Sequence, residues 1–555
     1  MPTISVEQSL LKDLVEAKGR VHDVDDLAFR LPLMGTDIDK CDSEVLDIEI
    51  FPDRPDLLSA ETLFHSMMPF MHNSPVNPRL LVNSGTTSMK VSKDLANIRP
   101  VILGAIVRGI DVDESVIKRL MEHQEKLHFA LGRGRKRASI GVHDLSKISP
   151  PFRVEAVSRD HSFIPLAMDE EMTIQEILEK HPKGVDYAHL LDGMEKVPII
   201  LDSDDAVLSF PPIINGDHTT VTTETRDIFI DVTGLDVRAC ESALMLVCLQ
   251  LSVLGGRIES VRVTTCDGKE WTLNGEPVEH KVERSMVEGI LGNTFTDEEI
   301  GNAIHRMGGI FNGDHSGILS ISMPRWRFDI LHPIDLVEEV AIGHGYDDLS
   351  HDVPKAPLTA IPRPDGHLRR RIREALQGLG LIQIQSLTLS NDEDQFNSVR
   401  WKPDGEITRM TNPITTEHTI LRQNILPGLL RLLAANRHHD LPQGVYELGS
   451  VVIDHSNRER FAFLVAERVG GFATLRGRIQ ALMRDLGCNE WELKDYDQGP
   501  WLKGRGAEIQ VQGKVIGECG EIDPHVSEIF DLNVPMSGAQ IDIEALSKVI
   551  ADPVH

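Results

Sequence analysis

MPRWRFDILHPIDLVEEVAIGHGYD, residues Met323 to Asp347, is the most informative stretch of this chain. An aromatic and basic strand end leads into four carboxylates within eleven residues, namely Asp329, Asp335, Glu338 and Glu339. Pro333 suits the first turn of a helix, and on that helix the last three of these carboxylates project from one face. Carboxylates this close repel one another unless a cation lies among them.

Two interpretations of this acidic segment remain open from spacing alone. A hard divalent cation such as Mg²⁺ takes carboxylate oxygens and retains several waters, so it is one candidate. The alternative is an acidic first turn that the helix dipole favours, with Arg325 and Arg327 as counter-charges.

Composition predicts a globular protein with several domains. The chain has 555 residues, of which 41% are hydrophobic and 26% charged. At about 150 residues per domain, this length favours three to five domains. The longest apolar run, around Ala243 to Leu254, is too short to span a bilayer. No signal segment opens the chain, so a cytoplasmic protein without membrane contact is expected.

Charge and cysteine content exclude several classes of protein. The six cysteines form no Cys-x-x-Cys pair, which argues against a disulfide scaffold and a zinc ribbon. The net charge of -29 is a poor match for nucleic acid, because phosphate binding depends on Lys and Arg. DNA binding is therefore not expected, and any RNA contact must be local.

Breaker clusters divide the chain into four segments of a multidomain α+β protein. Residues 1–85 form an N-terminal module that opens with a helix. Residues 86–270 alternate strands with helices, and their predicted strands include Val101 to Val107 and Thr219 to Val232. Residues 271–352 form a small winged-helix-like domain, in which Thr296 and Glu299 predict a capping box. Residues 360–555 form a last α/β or α+β domain, with a predicted strand from Leu381 to Leu389.

The linker before this last domain is expected to be semi-rigid because of its prolines, which are Pro354, Pro357, Pro362 and Pro364.

Several motifs resemble the β subunit of phenylalanyl-tRNA synthetase, in its archaeal and eukaryotic type. They are DIEIFPDRPDLLSAE (Asp47 to Glu61), SFPPIING (Ser209 to Gly216), FIDVTG (Phe229 to Gly234), PRWRFDILHPIDLVEEVAIGHGYD (Pro324 to Asp347), NPITTEHTILRQNILPGLL (Asn412 to Leu430) and YELGSVV (Tyr446 to Val452). The resemblance covers nearly the whole chain in order. It implies an (αβ)₂ heterotetramer that attaches phenylalanine to tRNA(Phe) using ATP and Mg²⁺. The charging site, which binds ATP and phenylalanine, is expected in the α subunit.

The resemblance also assigns roles to three of the segments. It implies that Asp329, Asp335, Glu338 and Glu339 hold a Mg²⁺ shared with α, although a salt-bridge network to α would use the same carboxylates. It implies that residues 86–270 are an editing domain that hydrolyses Tyr-tRNA(Phe). Residues 360–555 resemble a class II synthetase core, an antiparallel sheet with helices. Its closing region, Gly538 to Leu546, lacks the Glu-Arg end that binds ATP, so this core is expected to be non-catalytic.

An editing pocket is expected around the strand from Ile228 to Thr233. Phe229, Asp231 and Thr233 share one face of that strand and would offer an aromatic wall, a carboxylate and a hydroxyl. Asp231 would accept a hydrogen bond from the tyrosyl hydroxyl, whereas phenylalanine would leave the carboxylate unpaired. The facing wall would consist of Ser209, Pro211, Pro212 and Asn215. A positioned water is expected to attack the ester. A capped strand end is the alternative for Asp231, and structural roles are the alternative for Ser209 and Asn215.

The one dense cationic run consists of Arg133, Arg135, Lys136 and Arg137. It would either guide a tRNA acceptor end toward the pocket or pair with nearby acidic residues. His143, just beyond it, is a weaker candidate for a polar group of the pocket. The expected function is that of an enzyme subunit with its own editing site. The alternatives are a structural and tRNA-positioning subunit with an idle pocket, or a free-standing editing protein.

Overall fold

The computed structural model describes residues 2–349, 360–361, 363 and 365–550. The chain divides into two compact units, residues 1–354 and 355–555. The first three predicted segments lie in the first unit and the last lies in the second. The four prolines of the predicted semi-rigid linker lie outside the described residues.

The N-terminal module is a three-stranded antiparallel sheet covered by helices. Its strands, in sheet order, are Thr3–Glu7, Val45–Ile50 and Thr36–Cys41. Its helices are Gln8–Glu16, Val24–Arg30 and Ala60–His72. The predicted helical opening therefore follows a short strand. In that strand Ile4 and Val6 are buried while their neighbours are exposed, a period of two that favours a strand over a helix.

Two sheets form the second segment, and one of them carries the strand of the expected pocket. The five-stranded sheet runs, in order, Val82–Asn83, Arg257–Ser260, Val101–Arg108, Asp227–Gly234 and Ala138–Asp144. The seven-stranded sheet runs Ile214–Asn215, Val207–Phe210, Lys196–Leu201, Phe152–Ser158, Ser88–Val91, Arg262–Thr264 and Glu270–Trp271. A two-stranded ribbon pairs Ser162–Phe163 with Met172–Thr173.

The strand predicted from Thr219 to Val232 is wrong in its first half, since the observed strand begins at Asp227. Residues Asp217–Thr219 form a 3₁₀ turn instead. Two threonine hydroxyls form hydrogen bonds with nearby backbone carbonyls, which favours a turn over the backbone pairing of a strand. Thr219 donates to the carbonyl of Gly216, and Thr220 donates to the carbonyl of Asp217.

Two long helices, Glu114–Ala130 and Val237–Val253, cover the five-stranded sheet. The second is buried along nearly its whole length, and the Asp236 side chain caps it by accepting a hydrogen bond from the Ala239 amide. Shorter helices, Ile174–Lys180 and Pro182–Tyr187, follow the ribbon. One core of the segment therefore lies between this sheet and its two long helices, and another lies between the two sheets.

The small third module has three antiparallel strands and three helices. Its strands, in sheet order, are Val278–Glu283, Ile318–Met323 and Ile310–His315. Its helices are Arg284–Leu291, Asp297–Arg306 and Pro333–His344. The predicted capping box is confirmed, because the Thr296 hydroxyl accepts from the Glu299 amide while the Glu299 carboxylate accepts from the Thr296 amide.

The second unit is built on one seven-stranded sheet, which is antiparallel except at its first edge strand. Its strands, in order, are Ile382–Gln383, Gln443–Ile453, Ser456–Ala466, Met536–Asp542, Lys514–Ile522, Trp501–Val511 and Trp491–Asp495. Its helices are Gly366–Gly378, Leu426–Ala435, Phe472–Asp485, Pro524–Ile529 and Ile543–Ser547.

The strand predicted from Leu381 to Leu389 is wrong in its middle. It is reduced to Ile382–Gln383 and a separate ribbon, in which Leu389–Ser390 pairs with Ile420–Leu421. Ile382 and Leu387 are exposed, so this apolar run lacks the burial that would hold a longer strand in the sheet.

The fold class predicted from the sequence, a multidomain mixture of helices and sheets, is confirmed. Across the described ranges, none of the helices combines the length and apolar character needed to cross a bilayer.

Candidate functional site

A cavity of about 330 Å³ lies beside the strand Asp227–Gly234 and is called the Asp231 cavity below. Its volume falls within the range of small-molecule sites. It is lined by Ile117, Met121, Gln124, Glu125, His128, Arg135, Ser139, Ile140, Gly141, Val142, Leu166, Lys183, Ser209, Pro211, Pro212, Ile213, Ile214, Asn215, Thr219, Thr220, Val221 and Asp231. Both sheets and the helix Glu114–Ala130 therefore contribute to its walls.

A chain of three buried polar side chains holds the Asp231 carboxylate. Oδ2 of Asp231 lies 2.9 Å from Nε2 of His143, whose Nδ1 lies 2.9 Å from Oγ1 of Thr219. The Thr219 hydroxyl is also placed to donate to the carbonyl of Gly216. His143 is 0% exposed, and Asp231 and Thr219 are each 1% exposed. The other carboxylate oxygen of Asp231 accepts no hydrogen bond from the described residues, so it is available to a ligand in the cavity.

This Thr-His-Asp chain does not have the geometry of an activated nucleophile. The Thr219 hydroxyl is 1% exposed and is placed to donate its single hydrogen to the carbonyl of Gly216 and not to His143. Nucleophilic catalysis requires a hydroxyl that is open to the ester, with the base behind it. Asp231 and Thr219 both line the cavity, and the hydrogen bonds through His143 fix the orientation of the Asp231 carboxylate.

Gly141 makes room for the pair of Asp231 and His143. It lies directly opposite Asp231 on the neighbouring strand. A Cβ atom at Gly141 would lie 1.8 Å from Oδ2 of Asp231 and 2.8 Å from Nε2 of His143. Any side chain there would displace the carboxylate, which explains a glycine in the middle of this strand.

The predicted facing wall lines the cavity as a group, since Ser209, Pro211, Pro212 and Asn215 are all part of it. The Ser209 hydroxyl donates to the Asn215 side-chain carbonyl at 3.1 Å. The Asn215 amide in turn donates to the carbonyl of Val142, on the opposite sheet. Asn215 therefore joins the two sheets across the cavity.

The predicted aromatic wall needs a correction, because Phe229 does not line the cavity. Its ring packs in the core, 4.4 Å from the ring of Phe152 and 5.9 Å from that of His143. Phe229 shares a strand face with Asp231, as predicted. However, the second sheet covers that face at Phe229 and leaves it open only beside Gly141.

Thr233 also lies outside the cavity lining and serves the neighbouring structure instead. Its hydroxyl accepts a hydrogen bond from Nε of the buried Arg99 at 2.7 Å, and lies 2.9 Å from the Ser139 hydroxyl. Burial lowers the pKa of Arg99 to about 10. Arg99 also donates to the carbonyl oxygens of Thr233 and Arg135. Thr233 thus supports the loop at the mouth of the cavity.

Two side chains of the cationic run have partners within the described residues, and the other two are exposed to solvent. Arg135 is buried and donates to the carbonyl of Ile213 at 2.9 Å and to Glu125 at 2.7 Å. Arg137 forms an ion pair with Asp236. Arg133 and Lys136 are exposed and form no ion pair within the described ranges. Pairing with nearby acids, the alternative interpretation, therefore holds for Arg135 and Arg137.

Sequence reasoning missed the charged mouth of the cavity. Glu125 accepts from Arg135 and lies 3.6 Å from the Lys183 ammonium. The neighbouring His128, 3.8 Å away, and Arg135 hold the pKa of Glu125 at about 2. The i, i+3 spacing of Glu125 and His128 on one helix was the only local sequence feature that could have predicted this charged cluster. Lys183 is distant in sequence and reaches the mouth only through the fold.

The acidic segment surrounds a buried guanidinium. Arg327 donates from Nε to Asp329 at 2.9 Å and from Nη1 to Glu339 at 2.9 Å, and its Nη2 contacts both carboxylates at 2.5 Å. Burial opposes the charge on Arg327, but Asp329 and Glu339 outweigh it and raise the pKa well above its ordinary value. Arg327 is therefore a counter-charge, whereas Arg325 is half-buried and donates to the carbonyl of Glu276.

The other two carboxylates of the segment differ in their surroundings. Asp335 accepts from the amides of Leu331 and His332, each at 2.6 Å, and so caps its own helix. Glu338 has no hydrogen bond or ion pair with any described residue. Burial, then Asp53 and Asp335, raise its pKa. Among the described residues, no three acidic, histidine or cysteine side chains are arranged to hold a metal ion. Within the described residues, the acidic segment therefore does not bring three such ligands together.

Comparison with known proteins matches three parts of this chain to domain families. Three domain families match: the B3/4 domain over residues 102–245, the tRNA synthetase B5 domain over 280–346, and the phenylalanyl tRNA synthetase beta chain CLM domain over 349–543. The phenylalanine–tRNA ligase beta subunit of Archaeoglobus fulgidus is 39% identical over 98% of both chains. The chain belongs to the phenylalanine–tRNA ligase beta-subunit family.

Other members of the phenylalanine–tRNA ligase beta-subunit family match over similar lengths. The protein of Methanothrix thermoacetophila is 38% identical over 98% of this chain and 100% of its own. The crystal structure of an N-terminal fragment of the phenylalanyl-tRNA synthetase beta subunit from Pyrococcus horikoshii superimposes with a TM-score of 0.58. That fragment is 33% identical and corresponds to 62% of this chain and all of its own. The family is one of aminoacyl-tRNA synthetases, which are ligases of protein biosynthesis.

Proposed function

We propose that this chain assembles with a catalytic α subunit as an (αβ)₂ heterotetramer that attaches phenylalanine to tRNA(Phe) with ATP. We further propose that its Asp231 cavity hydrolyses mischarged Tyr-tRNA(Phe). Family membership supports the first part. The second part depends on one observation: a buried carboxylate lines a cavity of about 330 Å³ and keeps one oxygen without a partner among the described residues.

Tyrosine is the substrate that makes editing necessary. A pocket for phenylalanine rejects an isostere with one added hydroxyl by a factor of only about 10². A second site that requires the hydroxyl supplies the remaining discrimination. Tyrosine would donate its phenolic hydrogen to Asp231, whereas phenylalanine would leave the buried carboxylate unpaired, at a cost of about 1 to 3 kcal/mol.

Hydrolysis in this cavity is proposed to use a positioned water. Ser209 donates its hydrogen to Asn215, so its oxygen retains lone pairs that a water can reach. Both side chains line the cavity across from Asp231, which would place the ester between the two walls. The exposed Arg133 and Lys136 beside the mouth would attract the phosphates of the acceptor end.

The decisive experiment compares wild type with Asp231→Ala in the assembled complex. The rate of Tyr-tRNA(Phe) hydrolysis is expected to fall at least about tenfold, the equivalent of losing one hydrogen bond of about 1.4 kcal/mol. Phenylalanine charging should stay unchanged. Asp111→Ala removes a fully exposed aspartate of the same segment and is the matched control. Equal hydrolysis by wild type and Asp231→Ala would favour a structural, tRNA-positioning role with an idle pocket.

A Mg²⁺ shared between the subunits remains a proposal. Glu338 supports it, since this carboxylate has no partner among the described residues and lies near Asp53 and Asp335. The partner subunit would have to complete the coordination. Metal analysis of the co-purified complex is expected to show less Mg²⁺ in Glu338→Gln than in wild type or in the exposed control Glu170→Gln. Equal metal content in all three would remove the proposal.

A further inference from the structure

A second cavity, of about 320 Å³, lies in the first unit and is called the Trp326 cavity below. It is lined by Lys18, Arg20, Asp56, Phe64, His65, Ser66, Met68, Pro69, Ser74, Pro75, Val76, Asn77, Met307, Gly308, Pro324, Trp326 and Arg327. It shares no lining residue with the Asp231 cavity. The N-terminal module and the small third module both contribute to it.

Two aromatic side chains bring unpartnered ring nitrogens to this cavity. The rings of His65 and Trp326 meet edge to face, with centroids 5.6 Å apart. Within the described chain, neither His65 nitrogen has a hydrogen-bond partner and the Trp326 indole N–H has no acceptor. His65 is half-buried, Trp326 is 2% exposed and both line the cavity, so their ring nitrogens can form hydrogen bonds with a group bound there. Burial lowers the pKa of His65, which leaves a neutral imidazole with one donor and one acceptor.

The charge at the mouth of this cavity is positive, in a chain whose net charge is -29. Lys18 and Arg20 are both exposed, and neither pairs with a carboxylate in the part of the chain that the structure describes. Among the described residues that line the cavity, Asp56 is the one acidic side chain, and Arg54 neutralises it through two hydrogen bonds of 2.9 Å. Two unpaired cations are therefore available to an anionic group.

We propose that the Trp326 cavity binds a phosphorylated nucleoside. A flat base would lie against the aromatic wall, and its ring nitrogens and exocyclic groups would meet the Trp326 N–H and His65. Aromatic side chains bind bases through stacking with little dependence on sequence, while Lys and Arg bind the phosphate. A volume of about 320 Å³ is at the lower end of the range for small-molecule sites and suits a mononucleotide. The same chemistry fits a free nucleotide or one unstacked nucleotide of an RNA.

The test measures binding of AMP, adenosine and inorganic phosphate to the full chain by isothermal titration calorimetry at low ionic strength. AMP is expected to bind at least about tenfold more tightly than adenosine, because only AMP uses the two cations. The variant Lys18→Gln/Arg20→Gln should bind AMP no better than adenosine and leave adenosine binding unchanged. Both side chains are exposed, so this variant should fold normally.

A matched control separates the local effect from the loss of net charge. Lys503→Gln/Lys514→Gln removes two exposed cations from the second unit and should bind AMP like wild type. Trp326→Phe retains an aromatic ring but deletes the N–H, and should weaken AMP and adenosine by the same factor. Displacement of AMP by a tRNA transcript would indicate an RNA nucleotide as the occupant, and its absence would indicate a free nucleotide. No AMP binding, or equal binding by wild type and Lys18→Gln/Arg20→Gln, would overturn the proposal.

Discussion

Replacing Arg327 with methionine should destabilise the first unit strongly, because it leaves two carboxylates without their counter-charge. The side chains of Arg327, Glu339 and Asp329 are 2%, 4% and 12% exposed. Methionine retains most of the side-chain length, so the change removes the guanidinium and its hydrogen bonds with little loss of packing. Removing one partner of a buried ion pair costs about 3 to 5 kcal/mol, and we expect about 4 kcal/mol at pH 8.

The loss of stability should depend on pH with a definite sign. Burial raises the pKa of Glu339, and Arg327 is the main group that opposes this rise, with Arg54 as a lesser one, so the pKa of Glu339 should be higher without Arg327. A carboxyl whose pKa is higher in the folded state binds more protons when folded. The stability of Arg327→Met should therefore fall as the pH rises from the unfolded pKa, near 4.5, through the folded pKa. Its deficit relative to wild type should be smaller at pH 5 than at pH 8.

Urea denaturation of the full-length protein, followed at both pH values, measures this effect on the transition of the first unit. Arg325→Met is the matched control, because Arg325 is only half-buried and donates to a single backbone carbonyl, and it should change stability by less than about 0.5 kcal/mol. The double variant Arg327→Met/Glu339→Met should recover part of the loss, since it also removes a buried charge. An Arg327→Met protein within about 1 kcal/mol of wild type at pH 8, or a deficit that grows toward pH 5, would refute this reasoning.

Three further outcomes can be tested. Gly141→Ala should reduce Tyr-tRNA(Phe) hydrolysis by the assembled complex at least about tenfold, because its Cβ would displace the Asp231 carboxylate. The control is Gly289→Ala, at a helical glycine with open space around it. This control should leave hydrolysis unchanged, and its effect on folding stability should be neutral or stabilising by up to about 1 kcal/mol. Unchanged hydrolysis by Gly141→Ala would contradict the importance of that geometry. Burial would raise the pKa of Asp56, but Arg54 and other neighbours outweigh it and hold the pKa at about 2. Asp56 therefore stabilises the fold by about 2 kcal/mol above pH 3.8, and this contribution should disappear as the pH falls toward 2. The urea stability of wild type minus that of Asp56→Asn, measured against pH, checks this, and a difference that is constant from pH 7 to pH 2 would contradict it. Arg133→Gln/Lys136→Gln should reduce the salt dependence of tRNA binding, measured as the slope of log K against log salt, by up to about two units, and an unchanged slope would exclude phosphate contacts by this pair.

Local sequence signals predicted individual elements well. The strand predicted from Val101 to Val107, the capping box at Thr296 and the helix beginning at Pro333 all depend on neighbouring residues, and the structure contains each of them. Prediction failed where apolar or threonine-rich runs were assigned to strands without knowledge of their partners. The run from Thr219 bonds its own backbone, and Leu387 is exposed, so neither run lies in a sheet over its full length.

The candidate site was predicted in part. The alternation of strand side chains placed Phe229 and Asp231 on one face, and motif resemblance placed Ser209 and Asn215 opposite them. Strand periodicity cannot tell which positions on a face a second sheet covers. Phe229 therefore became a core residue, and Asp231 became the residue that lines the cavity.

The sequence by itself determined the family, the α+β character and the polar residue types available to each site, because these depend on composition, local periodicity and motifs. Tertiary structure alone decided which charges meet. It placed Arg327 among the carboxylates of the acidic segment. It also buried Arg135 while Arg133 remained exposed, and it placed His143 within hydrogen-bond distance of Asp231. The physical reason is that each of these choices depends on burial. A charge buried by packing must find a partner, and that partner is selected by distance in the folded chain and not by distance in sequence.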